Sequence, residues 1–396
     1  MYDVIVVGAR CGGSPVAMLL ARAGYRVLLL DRGRFPGDTL STLYVHQPGV
    51  ALLDRWGVLP EIIATGCPPI EKVSYTVADV RLEGCSWPVG GMAAAYAPRR
   101  HLLDAILVRA AVGAGAEFRE RSRVCDLVFD DDHVTGVRVR SGGVEYTEHG
   151  VLVVGADGMR STVAAKVGAP IEIEDPKLSC AYYTYWSSLP PRFRLYEARG
   201  SWVGTIPTND CATLVGAYFP QSSFSRVRHD GLDALLKAVE ETAPEVREQM
   251  AAGGRLEPLH GTGDQRNFFR RAAGPGWALV GDSGHHKDSI TARGITDAFL
   301  QAQLLADRIG DALHDPAALR TALDRFARER TEMLMPDYRT TLKTANLAIS
   351  EDQLALLRVI ASSDGLTNRY FSTLSGACPI DEFVTPELID LLAEIG

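Results

Sequence analysis

The sequence predicts an α/β chain: a Rossmann-type domain, a second domain built on an antiparallel sheet, and a C-terminal helical segment. Three observations predict it. Apolar strands run into glycine turns at residues 4–13 and again at residues 151–158. A third short strand, residues 277–280, meets Gly281-Asp282 ahead of another helix. Between the last two lies an aromatic stretch with strand-like runs and turn residues, residues 178–220, which reads as a separate sheet.

Taken in order, residues 4–7 are β-rich, residues 8–13 form the turn, residues 15–23 are helical up to Gly24, and residues 25–30 are apolar again. Leu102, Leu103, Ile106, Leu107, Ala110 and Ala111 recur at helical spacing after Pro98-Arg99-Arg100 and stop at Gly113 and Gly115. Residues 124–154 read as a meander turning at Asp130-Asp131-Asp132. Residues 231–251 read as a helix. Leu319, Leu323 and Phe326 form one helical stripe, with a break expected at Pro336, and Thr385-Pro386 opens a last helix carrying Leu388, Leu391, Leu392 and Ile395. The expected division is a discontinuous first domain (1–75, 95–170, 255–330), a second domain (76–94, 171–254) and the helical segment (331–396).

With 396 residues, 46% hydrophobic and 23% charged, the chain has enough apolar content for two packed domains. A formal charge of -8 offers no basic face for nucleic acid or anionic lipid. Seven cysteines lie singly, without a CxxC pair or zinc-like spacing, so no metal is expected and a reducing compartment is. Neither a leader pattern nor an apolar run of membrane-spanning length is present, and the expected location is the cytoplasm, without stable membrane association.

The first turn is GARCGG, spanning Gly8, Arg10, Cys11, Gly12 and Gly13. In a βαβ unit such a turn binds a pyrophosphate, because the helix N-terminus presents free N–H groups and positive dipole to the phosphates. Gly8 permits the tight turn and Gly13 close helix–strand packing, while Arg10 replaces the middle glycine and offers a guanidinium for phosphate. Asp31 ends the second strand, where a carboxylate accepts from ribose hydroxyls, and Arg32 beside it leaves a 2′-phosphate open. These residues leave the choice between FAD and a nicotinamide dinucleotide open.

Downstream, VVGADGMRSTVAAKVG (153–168) and ALVGDSGHHKDSITARGITDAF (278–299), with GARCGG and Arg100-His101-Leu102-Leu103-Asp104, resemble the motifs of group A flavoprotein monooxygenases and the related geranylgeranyl reductases and flavin halogenases. The likeness covers roughly residues 1–310. It implies FAD as cofactor, Asp282 on the ribityl chain, Ala292, Gly294 and Ile295 presenting backbone to the isoalloxazine, and Arg100 against the cofactor. It also implies Asp157 fixing the turn beside the pyrophosphate and Val124 bonding adenine, both of which ordinary turn and strand chemistry also explains. Three departures stand out. No arginine lies between Arg34 and Arg55, Ser289 replaces a usual proline, and GSWVGTIP resembles a halogenase motif but has Gly204 at its second tryptophan. The segment after Asp38 supplies no lysine for hypohalite relay.

The resemblance implies an FAD-dependent monooxygenase acting through a flavin hydroperoxide, in secondary metabolism. NAD(P)H would be a transient reductant, because no second Rossmann unit is visible. The partner is a small molecule, aromatic or polycyclic and polyketide-like, with oligomeric state left open. Tyr183 and Tyr185, on one face of their strand, and Trp202 are candidates for a substrate wall, core packing being the alternative. His286 with Lys287, and His46, are candidates for proton transfer. Rival readings are a reductase of carbon–carbon double bonds, a halogenase, and a flavin-containing binding protein.

Overall fold

The computed structural model describes residues 1–393. Its first sheet has at its centre the parallel strands Trp277–Leu279, Val144–Gly155, Tyr2–Val7, Val27–Leu30 and Glu117–Arg119, in that spatial order. Strand alternation sorts their side chains onto two faces. Val4, Val6 and Leu29 pack with the helices Gly13–Arg22, Arg100–Gly113 and Gly294–Ile309. Ile5, Val7, Leu28 and Leu30 pack on the other face against Val124, Leu127, Val134, Val137 and Val139 of the meander Arg123–Asp130, His133–Ser141 and Val144–Gly155. Both faces being covered, these strands are apolar throughout.

Register makes this sheet a platform. Val7 pairs with Gly155, and Gly155 with Leu279, so three strands end level and release three loops from one edge. In an open α/β sheet that carboxyl edge is where ligands bind.

The second sheet runs His260–Thr262, Ser179–Trp186, Thr213–Pro220, Ser201–Pro207, Phe193–Ala198, Val73–Val77, Val80–Gly84. All neighbours are antiparallel except Phe193–Ala198 beside Val73–Val77. The helices Gly231–Thr242 and Pro244–Gln249 cover one face through Leu235, Val239 and Val246. The other face looks towards Glu351–Ala361, Asp364–Ser375 and Pro386–Ala393. A third, small sheet joins Ile171–Asp175, Asn267–Arg270 and His285–His286.

Two expectations are corrected. The helix expected over residues 231–251 breaks at Ala243, whose backbone leaves the helical region ahead of Pro244. No break occurs at Pro336: one helix runs Pro316–Ala345 through it. An interior proline costs about 3 kcal/mol, and burial on either side offsets this. Leu334 and Tyr338 pack on Phe269, the Tyr338 hydroxyl donates to Asp175, and the fully buried Arg330 donates to the Gly284 and Arg270 carbonyls. Burial lowers the Arg330 pKa to about 10. Thr385 caps the last helix by accepting from the Leu388 N–H, and Leu388 is buried, whereas Ile395 lies outside the described residues. Among the described residues no helix is long and apolar enough to cross a membrane.

Among the described glycines, the least room for a side chain lies under the first turn. A Cβ on Gly13 would stand 1.8 Å from the Gly8 carbonyl oxygen and 3.0 Å from Val6 Cγ1. Gly13→Ala is therefore expected to destabilise the protein by about 3 kcal/mol or more, at the upper end of overpacking costs. Urea unfolding of the two proteins measures it, and equal midpoints contradict this packing.

Candidate functional site

The loops released by the level strand ends, with residues 31–42 and the start of Gly294–Ile309, enclose a groove of about 530 Å³. Gly8, Arg10, Cys11, Gly12, Asp31, Arg32, Arg100, Val124, Asp157, Asp282, Ala292, Gly294 and Ile295 all line it, so residues scattered over nearly 300 positions converge. Gly13 lies one step deeper, as the first residue of its helix.

The groove is organised by a residue that sequence reasoning passed over. Asp104, fully buried, accepts from Arg10 (2.6 Å), from Nε and a terminal nitrogen of Arg100 (both 3.1 Å), and from the Cys11 thiol (3.3 Å). Two guanidiniums on one carboxylate leave one net positive charge beside the turn, suited to an anion. Arg10 also donates to the Gly37 carbonyl and lies over Phe35, so it pins the loop at residues 33–37. The signal was the i,i+4 pair Arg100 and Asp104 inside a quoted motif. Burial pushes the Cys11 thiol far up, keeping it neutral.

Several predicted residues are already engaged within the protein. Asp31 accepts from the Ala9 and Gly33 amides, holding the turn it faces. Asp157 accepts from Ser161 and the Thr162 amide, fixing the second glycine turn. Asp282 differs: its carboxylate is exposed in the groove and makes no hydrogen bond within the described residues. Ala292 adopts a left-handed backbone (φ 53°), and open space stands over Gly294 at the helix start. An amide-rich turn without side chains at Gly8, Gly12 and Gly13, a net positive charge and a free carboxylate fit the phosphates and sugar hydroxyls of FAD.

The candidates for proton transfer are not brought together. Lys287 is buried and paired with Asp297 at 2.8 Å, in a cluster that continues through Arg293 to Asp337. His286 opens on the groove; its Nδ1 is bonded to the Arg266 carbonyl, which leaves Nε2 as the basic nitrogen. His46 is buried in another wall, 3.2 Å from the Thr291 carbonyl, and burial, then Arg293, depresses its pKa to about 3. It is neutral near pH 7.

A second cavity, of about 550 Å³, lies between the second sheet and the C-terminal helices. Trp202 and Tyr183 line it, as do Tyr75, Tyr218, Tyr370 and Phe371. Tyr185 does not: its ring lies 3.9 Å under the Arg99 guanidinium, outside both linings. Thr42, Ala181, Tyr183, Tyr218 and Ala292 line both spaces, so the cavity and the groove share a wall. Ser289, in place of the usual proline, donates to Gln265 and receives a hydrogen bond from Tyr218, which ties the loop to that wall. Burial raises the Asp288 pKa to about 6, opposed by the Ser179 hydroxyl.

The family described as FAD binding domain matches residues 1–336. Among curated proteins, a digeranylgeranylglycerophospholipid reductase of Methanocella arvoryzae is 27% identical over 84% of this chain and 83% of its own. The 6-methylpretetramide 4-monooxygenase of Streptomyces rimosus is 28% identical over 76% and 73%. Among solved structures, a myxobacterial chondrochloren halogenase superposes with a TM-score of 0.79 at 23% identity, covering 99% of this chain and 96% of that one.

Two outcomes follow from this geometry. Asp104→Asn leaves the buried Arg100 and the half-buried Arg10 poorly paired; a loss of about 3 kcal/mol and an FAD dissociation constant raised about tenfold (1.4 kcal/mol) are expected, read by denaturation and by titrating the visible absorbance. Unchanged FAD affinity contradicts the organising role. For His46 the folded pKa lies below the unfolded value, so its contribution is present above pH 6.5 and is lost as pH falls towards 3. Across that window wild type should lose stability relative to His46→Gln, by at most about 1.4 kcal/mol per pH unit. A pH-independent difference refutes the burial of a neutral imidazole.

Proposed function

The chain belongs to the FAD binding domain family and is an FAD-dependent oxidoreductase, and on that premise we propose that it hydroxylates an aromatic or polyketide-like small molecule. The observation that carries this reading is the aromatic-walled cavity of about 550 Å³ abutting the groove across five common residues. Bound FAD, once reduced by NAD(P)H, would supply the electrons and the dioxygen activation that hydroxylation needs.

The chain's own residues do the rest. Gly8, Gly12, Arg10 and Arg100 would hold the phosphates, and Asp282 would accept from the sugar chain. Tyr75, Trp202, Phe371 and Tyr370 exclude water and orient a planar substrate. Tyr218 donates its proton to Ser289, whose own proton goes to Gln265, so the phenol oxygen keeps lone pairs for a substrate hydroxyl. Nε2 of His286 is the proton acceptor on the groove side. Lys287 is set aside as an acid or base by its pairing with Asp297, and His46 by its low pKa.

Halogenation fits less well, since no lysine stands among the five residues of the common wall. Double-bond reduction shares the groove and differs in the use of oxygen. The deciding experiment follows NAD(P)H and dioxygen together while phenolic and polyketide-like compounds are screened. One dioxygen consumed per NAD(P)H, with a product one oxygen heavier, is expected. Substrate-dependent NAD(P)H oxidation without oxygen uptake overturns hydroxylation in favour of reduction, and a chloride-dependent product overturns it in favour of halogenation.

A further inference from the structure

One charged group in the second cavity has no counter-charge. Glu197 is 6% exposed, and its hydrogen bond is to the Tyr75 hydroxyl. Among the described residues it has no salt bridge to lysine, arginine or histidine. The other charged side chains of that wall are provided for: Arg293 pairs with Asp337, and Lys343 and Asp352 are exposed. Around Glu197 stand aromatic faces. Tyr75 is tilted against Trp202 at 5.4 Å and stacked on Tyr370 at 6.4 Å. Burial raises the Glu197 pKa, with the Tyr75 hydroxyl as the opposing influence.

Strand register fixes where this group sits relative to the chemistry. Glu197 pairs with Trp202, Trp202 with Tyr218, and Tyr218 with Ala181, so the four form one row across the sheet. Directly opposed residues share a face, and Trp202, Tyr218 and Ala181 belong to the core cluster on the cavity side. Neighbouring strands are about 4.8 Å apart, which places Glu197 about 10 Å from Tyr218, in the common wall.

We propose that Glu197 anchors a protonated amine of the substrate at the end of the cavity away from the groove. The substrate class is an aromatic or fused-ring amine whose reacting position lies about 10 Å from its nitrogen. A carboxylate left unpaired in an apolar space is unfavourable until a cation arrives, and aromatic faces around it attract the same cation. A neutral donor would satisfy the hydrogen bond but leave the charge uncompensated. This inference rests on the second cavity being the substrate site, and it concerns binding alone.

The test uses the FAD-loaded protein, with tryptophan fluorescence and flavin absorbance as readouts, and two probes of equal shape: naphthalen-2-ylmethanamine and naphthalen-2-ylmethanol. Wild type is expected to bind the amine at least about tenfold more tightly than the alcohol. Glu197→Gln should bring the ratio near one, while Tyr75→Phe, which keeps the carboxylate, preserves the preference. Should Glu197→Gln fail to retain FAD, Glu197→Asp serves, with a reduced but persisting preference expected. Equal affinity in wild type, no binding of either probe, or a preference that survives Glu197→Gln overturns the proposal. No oxygen or NAD(P)H enters this measurement. A Glu197-dependent preference without coupled oxygen uptake therefore keeps the anchor and removes the hydroxylase reading, and the converse result does the opposite.

Discussion

A single buried carboxylate holds the cofactor groove in shape. Asp104 reaches from the helix Arg100–Gly113 to the first glycine turn, and through Arg10 to the loop at residues 33–37. Isolated, it would be costly to bury; paired with two guanidiniums, it becomes the minority charge of a cluster whose excess is positive. That excess stands beside the N-terminus of Gly13–Arg22, so side-chain charge and helix dipole favour the same anion. The glycines define where phosphate can approach, and Asp104 holds in place the arginines that attract it.

The common wall between groove and cavity is built on a different principle. Lys287, Asp297, Arg293 and Asp337 form a buried ion cluster that joins the start of Gly294–Ile309 to the long helix Pro316–Ala345. Desolvation offsets much of the attraction in such pairs, while removing one partner would leave a buried charge uncompensated. Here the arrangement places Ala292 in a left-handed conformation between two cavities. Arg330 reinforces it from behind by donating to the Gly284 carbonyl, which keeps the loop after Asp282 from sliding along the helix.

Much of this was legible in the sequence for a physical reason. Glycine turns after apolar strands are local signals, and the covered parallel sheet requires apolar runs, so the first domain's elements follow from short stretches, whereas the convergence of Gly8, Asp157, Asp282 and Gly294 was implied by the family resemblance. The aromatic strand at residues 181–186 showed its alternation, and Tyr183 lies in the wall between cavity and groove. Tyr185, two residues on, shares that face but lies beneath Arg99, a contact set by a partner 86 positions away (185 − 99). Lys287 looked free because its partner, Asp297, lies a helical turn beyond a loop whose path no periodicity encodes. Asp104 and Glu197 were missed for the same reason: an acidic residue in a helix or strand is ordinarily solvated, and only tertiary packing makes it buried. Pro336 misled because local propensity favours a break that packing against Phe269 overrides.

The division between the two sheets explains how one architecture accommodates relatives named as reductase, monooxygenase and halogenase. The groove is lined largely by the ends of parallel strands, the loops they release and helix N-termini. The second cavity is walled on one side by side chains alternating on the second sheet, where one substitution changes the wall without disturbing the ladder, and on the other by the C-terminal helices. Gly204 illustrates this: its missing side chain leaves only Leu195 Cδ2 and the Arg194 carbonyl within 4 Å of an added Cβ, so that stretch of wall is open to a larger residue. The row from Glu197 to Ala181 crosses the sheet from the buried carboxylate to the wall shared with the groove, on which the proposed amine anchor rests.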